Sequence, residues 1–512
     1  MSVNPVVSPS VKTPSVYISV NLKAGAVAPG SAPLKALILA SKSSVGTITA
    51  DTELAENVSA EDVKGLCGLG TPGYLATKRL FEEYPLAQVD LVAPAVNVSA
   101  VAATGVITFS GSPTESRTIR AYISGRRVEA VWAAGDDAQA GAEALRDAAN
   151  ALGAEMPIVA TALVNGAGPD WDMISTFRVP GPIGNDCRVY VQLIGGAGGT
   201  VAAPAGNTLA GGTGEPDYTN AISILTGKEY DLILNCCSNA DAQDGSSSSN
   251  PGRVKTDIDL RKTGGAAKLQ QQVVGVTATL TDVKTGTGNI NDEESQLSFC
   301  LAGQSLPAEF GGAEVGARLR EESIDPAKNR IGMPYRARLF GAFDLSLDKP
   351  DETEIEDALN TGVSIITYAD DGTLLPARPI TTYHKDALGN PDARVLDVSI
   401  PTGVFAVAKD LRVALPQEYP QKKLSKNLEP GDDPPPPDVV EERDVQAFIG
   451  QRIRFWISRG VVRRDKWEEA IANETFVVQV NPSDPSQLDI VLPLSIVPPL
   501  AKFGIDVRHF RN

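Results

Sequence analysis

Histidine is almost missing from this sequence: His384 and His509 are the two it has in 512 residues. A Ser/His/Asp or Cys/His arrangement would have to draw on one of them, and a histidine-rich metal site cannot be assembled from the pair. Cysteine is scarce too. The five residues Cys67, Cys187, Cys236, Cys237 and Cys300 are odd in number and form no CxxC, which predicts reduced, buried thiols and excludes a disulfide framework. No apolar run approaches the roughly eighteen residues of a membrane span, so no membrane insertion is expected. The first residues lack the basic region and continuous apolar core of a signal peptide, so synthesis and folding in cytoplasm are expected. Cations are outnumbered, with Lys+Arg 46 against Asp+Glu 63 and a net charge of −17, which argues against direct nucleic-acid binding and for protein partners. Phosphate-binding loops are absent: Gly227-Lys228 has Ile222 where a P-loop needs its first glycine, and the glycines at 195–199 and 211–214 do not fit GxGxxG. Gly303-Gln304-Ser305 is followed by Leu306 and Pro307, so GxSxG is absent as well. No catalytic residue, cofactor or metal site is expected.

The clearest local signals lie in residues 351–383. Asp351 can cap a helix with Glu354 completing a capping box, Ile355, Ala358 and Leu359 give it a buried stripe, and Gly362 ends it. Val363 to Tyr368 reads as a strand, Asp370-Asp371-Gly372 as a turn, and Leu374 to Tyr383 as the returning strand. At this length three or four domains are expected. Apolar strands at 34–40, 89–92, 231–237, 273–279 and 296–301, separated by helices such as those from Pro72 and over 308–321, predict a mainly parallel α/β sheet covered on both faces. Between them, short strands at 105–109, 118–123, 128–132, 158–164 and 187–193 and a helix capped at Asp136 or Asp137 predict an inserted α+β module. Residues 241–253 read as a polar loop and 285–291 as turns. The last third reads as a mixed apolar stretch over 397–411, a Pro-rich spacer, a long helix over 439–458, a shorter one over 465–473, and strands at 476–480 and 488–492. Both ends are short alternating strands on loose connections: Val16, Tyr17, Ile18 and Val20 at one, Phe503, Ile505 and Val507 at the other. Such strands suit addition to a neighbouring subunit's sheet.

Several stretches resemble the tail sheath subunit of contractile bacteriophages, in its Mu-like branch, also found in phage-derived contractile particles. They are Pro14-Ser15-Val16-Tyr17, the run LAGGTGEPDYTNAISILTGKEYDLILNC from Leu209, Asp325-Pro326-Ala327 with GMPYRARLFG behind it, Arg378-Pro379-Ile380-Thr381-Thr382-Tyr383, Arg394-Val395-Leu396-Asp397, and NETFVVQVNPSDPSQLDIVLPLSIVPP from Asn473. The resemblance implies a central α/β domain of subtilisin-like topology without catalysis and a C-terminal α+β domain facing an inner tube. Rings of six would stack into a helical sleeve whose contraction drives the tube through a host envelope. It implies the chain itself, the inner tail tube protein, and baseplate and tail terminator proteins as partners, with assembly in the bacterial host cytoplasm and residence in the virion tail. The expected division is an arm at 1–20, the first α/β part at 21–102, the insertion at 103–195, a Gly/Ala-rich linker at 196–214, the central domain at 215–383, the tube-facing domain at 384–499 and a second arm at 500–512. Another self-assembling structural protein and a cytosolic hydrolase are the alternatives.

One charge reversal stands out in this acidic chain. Arg452, Arg454, Arg459, Arg463, Arg464 and Lys466 are opposed within their stretch only by Asp465. A solvated helix face is the plain reading. With the resemblance, Arg452, Arg459, Arg463, Arg464 and Lys466 become the candidate contact to the inner tube.

Overall fold

The structure is a computed structural model that describes residues 34–164, 169–263, 268–428 and 435–501. At its centre Lys35–Leu39 forms a strand because Ala36, Leu37, Ile38 and Leu39 can all be buried, which only a sheet covered on both faces allows. It pairs in parallel with Gln88–Val92 on one side and Leu232–Asn235 on the other, and Gln271–Val276, Ser295–Cys300 and Ser364–Tyr368 extend the parallel series. Short antiparallel strands, Leu54–Ala55 and Leu374–Pro376, close the two edges of this eight-stranded sheet. The expected mainly parallel sheet is thus observed, within a multidomain α/β architecture.

Two helices lock against each other on one face of the sheet. Thr71 caps Pro72–Glu83, with proline at the first helical position where its missing N–H costs nothing. This helix packs on Pro307–Glu322 at a distance only glycine permits: a Cβ on Gly312 would stand 2.2 Å from the Ala76 carbonyl oxygen, and one on Gly316 2.6 Å from that of Leu80. Buried along Pro307–Glu322 are charges that face partners on other elements. Glu309 accepts from Arg79 Nε at 2.9 Å and Arg126 Nη2 at 2.7 Å. Glu314 takes a bidentate bond from Arg330 at 2.8 and 2.7 Å. Burial pushes the Glu314 carboxyl up, but Arg330, Tyr335 and Arg318 outweigh it and hold the group at about 2.

The inserted region contains two antiparallel sheets. Gly198–Ala202, Thr104–Pro113, Trp171–Phe177 and Ile158–Val164 make one, and Arg126–Trp132, Arg117–Ile123 and Val189–Ile194 the other, with helix Ala138–Ala151 packed against both. Three expectations are corrected here. The 196–214 stretch is not a bare linker: Gly198–Ala202 pairs with Thr104–Pro113, and backbone bonds tie Thr213 to Val101 and Ala210 to Thr104. The 241–253 segment is helical at both ends, in Asn239–Asp244 and Asn250–Thr263, with a turn over 245–249, and 285–291 falls largely inside helix Leu280–Ile290. The insertion shares the central core: its Phe109, Ile119 and Trp132 belong to the same buried cluster as Ile38, Leu80 and Leu234.

The 351–383 stretch folds as read up to its turn, with the Asp351 capping box, helix Glu352–Asn360 and Gly362 at φ 78°. The returning strand is shorter than expected, Leu374–Pro376, because Arg378 turns away to clasp Asp397 at 2.7 and 2.8 Å and Thr382 N donates to Ser295 O. The apolar stretch that follows is a 20-residue helix, Ser399–Glu418. With Glu442–Ser458, Arg464–Ala472 and hairpin Val477–Val480/Leu488–Val491 it encloses a second core of Val407, Ile449, Ile453, Trp456, Val462 and Trp467. Val439–Glu441, expected as helix, pairs in parallel with Lys423–Ser425.

Candidate functional site

The basic cluster sits where two helices of the C-terminal region meet. Glu442–Ser458 turns Val445, Ile449, Ile453 and Trp456 inward, which leaves Arg454 and Arg459 on the exposed side. Gly460 at φ 74° ends this helix, and Val461 and Val462 are buried as the chain turns into Arg464–Ala472. Arg459 lies over the exposed Phe455 ring, 5.7 Å from its centroid. Arg463 binds Asp465 at 2.6 Å and Lys466 binds Glu469 at 2.6 Å, both exposed pairs that are weakly held in water. Arg464 is exposed at the first position of its helix.

Arg452 is set apart from this group. Its guanidinium binds the Asp410 carboxylate on the Ser399–Glu418 helix, with Nε 2.9 Å from Oδ2, so its charge holds two helices together inside the domain. Arg452, grouped with Arg459 in the expected tube contact, is thus engaged within the domain. The helix dipole favours Arg459, the C-cap of Glu442–Ser458, but not Arg463 and Arg464, which stand at the N-terminal end of the next helix, where cations are disfavoured. Asp465 in the first turn offsets this in part. The arm residues Val16, Tyr17, Ile18, Val20, Phe503, Ile505 and Val507 lie outside the described residues, as does His509. His384 is buried, its Nδ1 2.8 Å from the Thr382 carbonyl oxygen, and burial lowers its pKa. All five cysteines are free and buried, and burial pushes the Cys67 thiol up to about 12.

A second polar feature, missed in the sequence, is a cleft of 430 Å³ between the insertion and the carboxyl ends of the parallel strands. Asp186 Oδ2 accepts from Asn239 N at 2.9 Å, Arg188 Nη2 donates to Thr277 O at 3.3 Å, and Asn239 Oδ1 accepts from Thr277 N at 2.9 Å. These bonds latch the insertion onto the start of helix Asn239–Asp244. The only sequence signal was Ser238, a helix-capping residue, before an acidic turn. Burial raises Asp186 to about 7, and burial together with Glu215 raises Asp241 to about 7. A carboxyl raised in the folded state adds stability that is fully present below its unfolded value near 3.8 and is lost as pH rises through 7. Denaturant unfolding is therefore expected to show stability rising as pH falls from 8 to 5, with a slope of at most about 1.4 kcal/mol per pH unit per group. Asp186→Asn flattens that slope. An unchanged slope in the variant would contradict the assignment.

No family model matches the chain. A Mu-like prophage FluMu tail sheath protein of Haemophilus influenzae is 23% identical over 495 residues, which cover 94% of each chain. Solved structures with similar folds include a sheath tail protein of Listeria innocua, at 14% identity and TM-score 0.40 over 88% of this chain and 90% of that one. Another is the helical sheath of the anti-feeding prophage in its contracted state, at 11% identity and TM-score 0.46 over 97% and 99%. With both TM-scores below 0.5, the weight falls on the sequence match. That match, running along nearly the whole of both chains and agreeing with the motifs quoted above, supports a contractile tail sheath assignment.

Proposed function

We propose that this chain is a structural subunit, not an enzyme, that polymerises as stacked hexameric rings around an inner tail tube and contracts to drive the tube through the host envelope. The observation that carries this reading is the whole-length similarity to a tail sheath protein. In it the eight-stranded unit has the family's subtilisin-like arrangement, residues 384–499 face the tube, and 103–195 lie outside. Residues 1–20 and 500–512 are arms that add strands to neighbouring subunits. Two-stranded sheets such as Val477–Val480/Leu488–Val491 have edges on which such strands could pair. Baseplate and tail terminator proteins bound the sleeve, which assembles in the bacterial cytoplasm and resides in the virion tail.

Arg459, Arg463, Arg464 and Lys466 form the tube contact in this reading, and Arg452 supports them from within. Exposed ion pairs contribute roughly 0.2–1 kcal/mol each and weaken with salt, so they fix register while permitting release. Changing Arg459, Arg463 and Arg464 to glutamate is expected to weaken co-sedimentation with purified inner tube, most at low salt, and to leave circular dichroism unchanged. Equal binding by the triple variant at every salt concentration would return the cluster to a solvated surface. Electron micrographs of the purified protein test the wider reading: ordered tubes support it and a compact monomer opposes it.

A further inference from the structure

Four carboxylates converge near the amino ends of the parallel strands, away from the basic cluster. Asp259 comes from helix Asn250–Thr263, and Asp292, Glu293 and Glu294 from the turn into strand Ser295–Cys300. One carboxylate oxygen from each of Asp259, Asp292 and Glu294 lies within 4.8 Å of the others. Asp292 is 4% exposed and Glu294 2%, whereas the Asp259 side chain is 46% exposed and forms the mouth. Two ammonium groups are present. Lys255 Nζ is 2.7 Å from Asp259 and 3.8 Å from Asp292, and Lys262 binds Glu294 Oε1 and lies 3.5 Å from Glu293. The place they share is largely buried. One consequence is visible: Glu294 Oε2 is fully buried and has no hydrogen-bond partner. With Lys262 on Oε1 alone, leaving Oε2 unpartnered in the interior is costly, and a further ligand there would relieve that cost.

We propose that Asp259, Asp292 and Glu294 bind one divalent cation, with calcium as the best chemical match, which pins helix Asn250–Thr263 to the base of strand Ser295–Cys300. The donors are all carboxylate oxygens, the ligands that hard cations take. Oxygens that share a calcium ion at about 2.4 Å stand no more than about 4.8 Å apart, and all three lie within that reach of one another. Calcium tolerates irregular geometry and completes its shell with water, which can enter past Asp259. Lys255, on its flexible stem, swings aside as the ion enters.

Isothermal titration of the full chain with calcium chloride, after treatment with a chelator, tests this alongside thermal unfolding. Expected are one site per chain and an unfolding temperature that rises with calcium. Glu294→Gln should weaken binding at least about tenfold, as should Asp259→Asn, which alters only the half-exposed mouth and so reports even if the buried variant misfolds. Lys255→Gln removes the competing ammonium and should tighten binding. No calcium response in the parent chain, or the same response in the parent, Glu294→Gln and Asp259→Asn, would overturn the site.

Discussion

Deleting residues 1–20 is expected to leave a folded, soluble subunit that no longer forms long tubes. In the sequence, Val16 to Val20 alternate as an added strand would, and among the described residues the short strands Leu54–Ala55 and Leu374–Pro376 take the two edges of the central sheet. A strand added to a neighbour supplies a row of backbone hydrogen bonds at every subunit, so its loss acts on assembly and not on folding. Sedimentation should show small species with unchanged circular dichroism. Normal tubes from the truncated chain would remove the arms from the account.

Glu309→Ala is expected to cost about 3–5 kcal/mol of stability, because it strips a buried carboxylate from between two buried guanidinium groups. Glu309 is fully buried, Arg79 is 1% exposed and Arg126 5%. Burial alone would raise the Glu309 carboxyl, yet Arg126 and Arg79 hold it below its ordinary value, so it is charged and compensates both arginines, of which Arg79 also pairs with Glu82. The three side chains come from helix Pro307–Glu322, helix Pro72–Glu83 and the insertion strand Arg126–Trp132, so the same node ties the insertion to the central layer. Urea unfolding should show a large fall in midpoint. A midpoint equal to that of the parent chain would mean that the node is not structural.

This node marks the limit of what could be read from sequence. The parallel strands were legible because residues such as Ala36 to Leu39 are apolar on both faces, and the Asp351 helix because its cap and box lie within four residues. Glu309 and Arg126 are 183 residues apart, and no local pattern joins them. Glycine misled in two places. Gly286 in helix Leu280–Ile290 looked like part of a turn, but a Cβ there would meet the Ala242 carbonyl oxygen at 2.2 Å, so it serves close helix packing. Gly198 and Gly199 looked like linker, but both have positive φ where the Gly198–Ala202 strand shifts register, and Trp132 packs against Gly199. Helix Asn250–Thr263 was hidden for another reason: it carries only Val254 and Ile258 as buried aliphatic anchors and follows a serine run. Helix Ser399–Glu418, read only as a mixed apolar stretch, contains Pro401 and Pro416, residue types that weaken a helical signal. At the basic cluster the charges were visible in the chain, but the diversion of Arg452 to Asp410 was not, since its partner lies 42 residues away on another helix.

The central claim is that these subunits build a sleeve around a tube. Cryo-electron microscopy of the purified chain mixed with its inner tube tests that claim most directly. The expected reconstruction has sixfold rings stacked helically, the Arg459 to Lys466 corner against the tube, the insertion on the outer surface and terminal strands crossing between subunits. Dispersed monomers, or an ordered assembly in which the insertion lines the lumen and the basic corner faces outward, would contradict it.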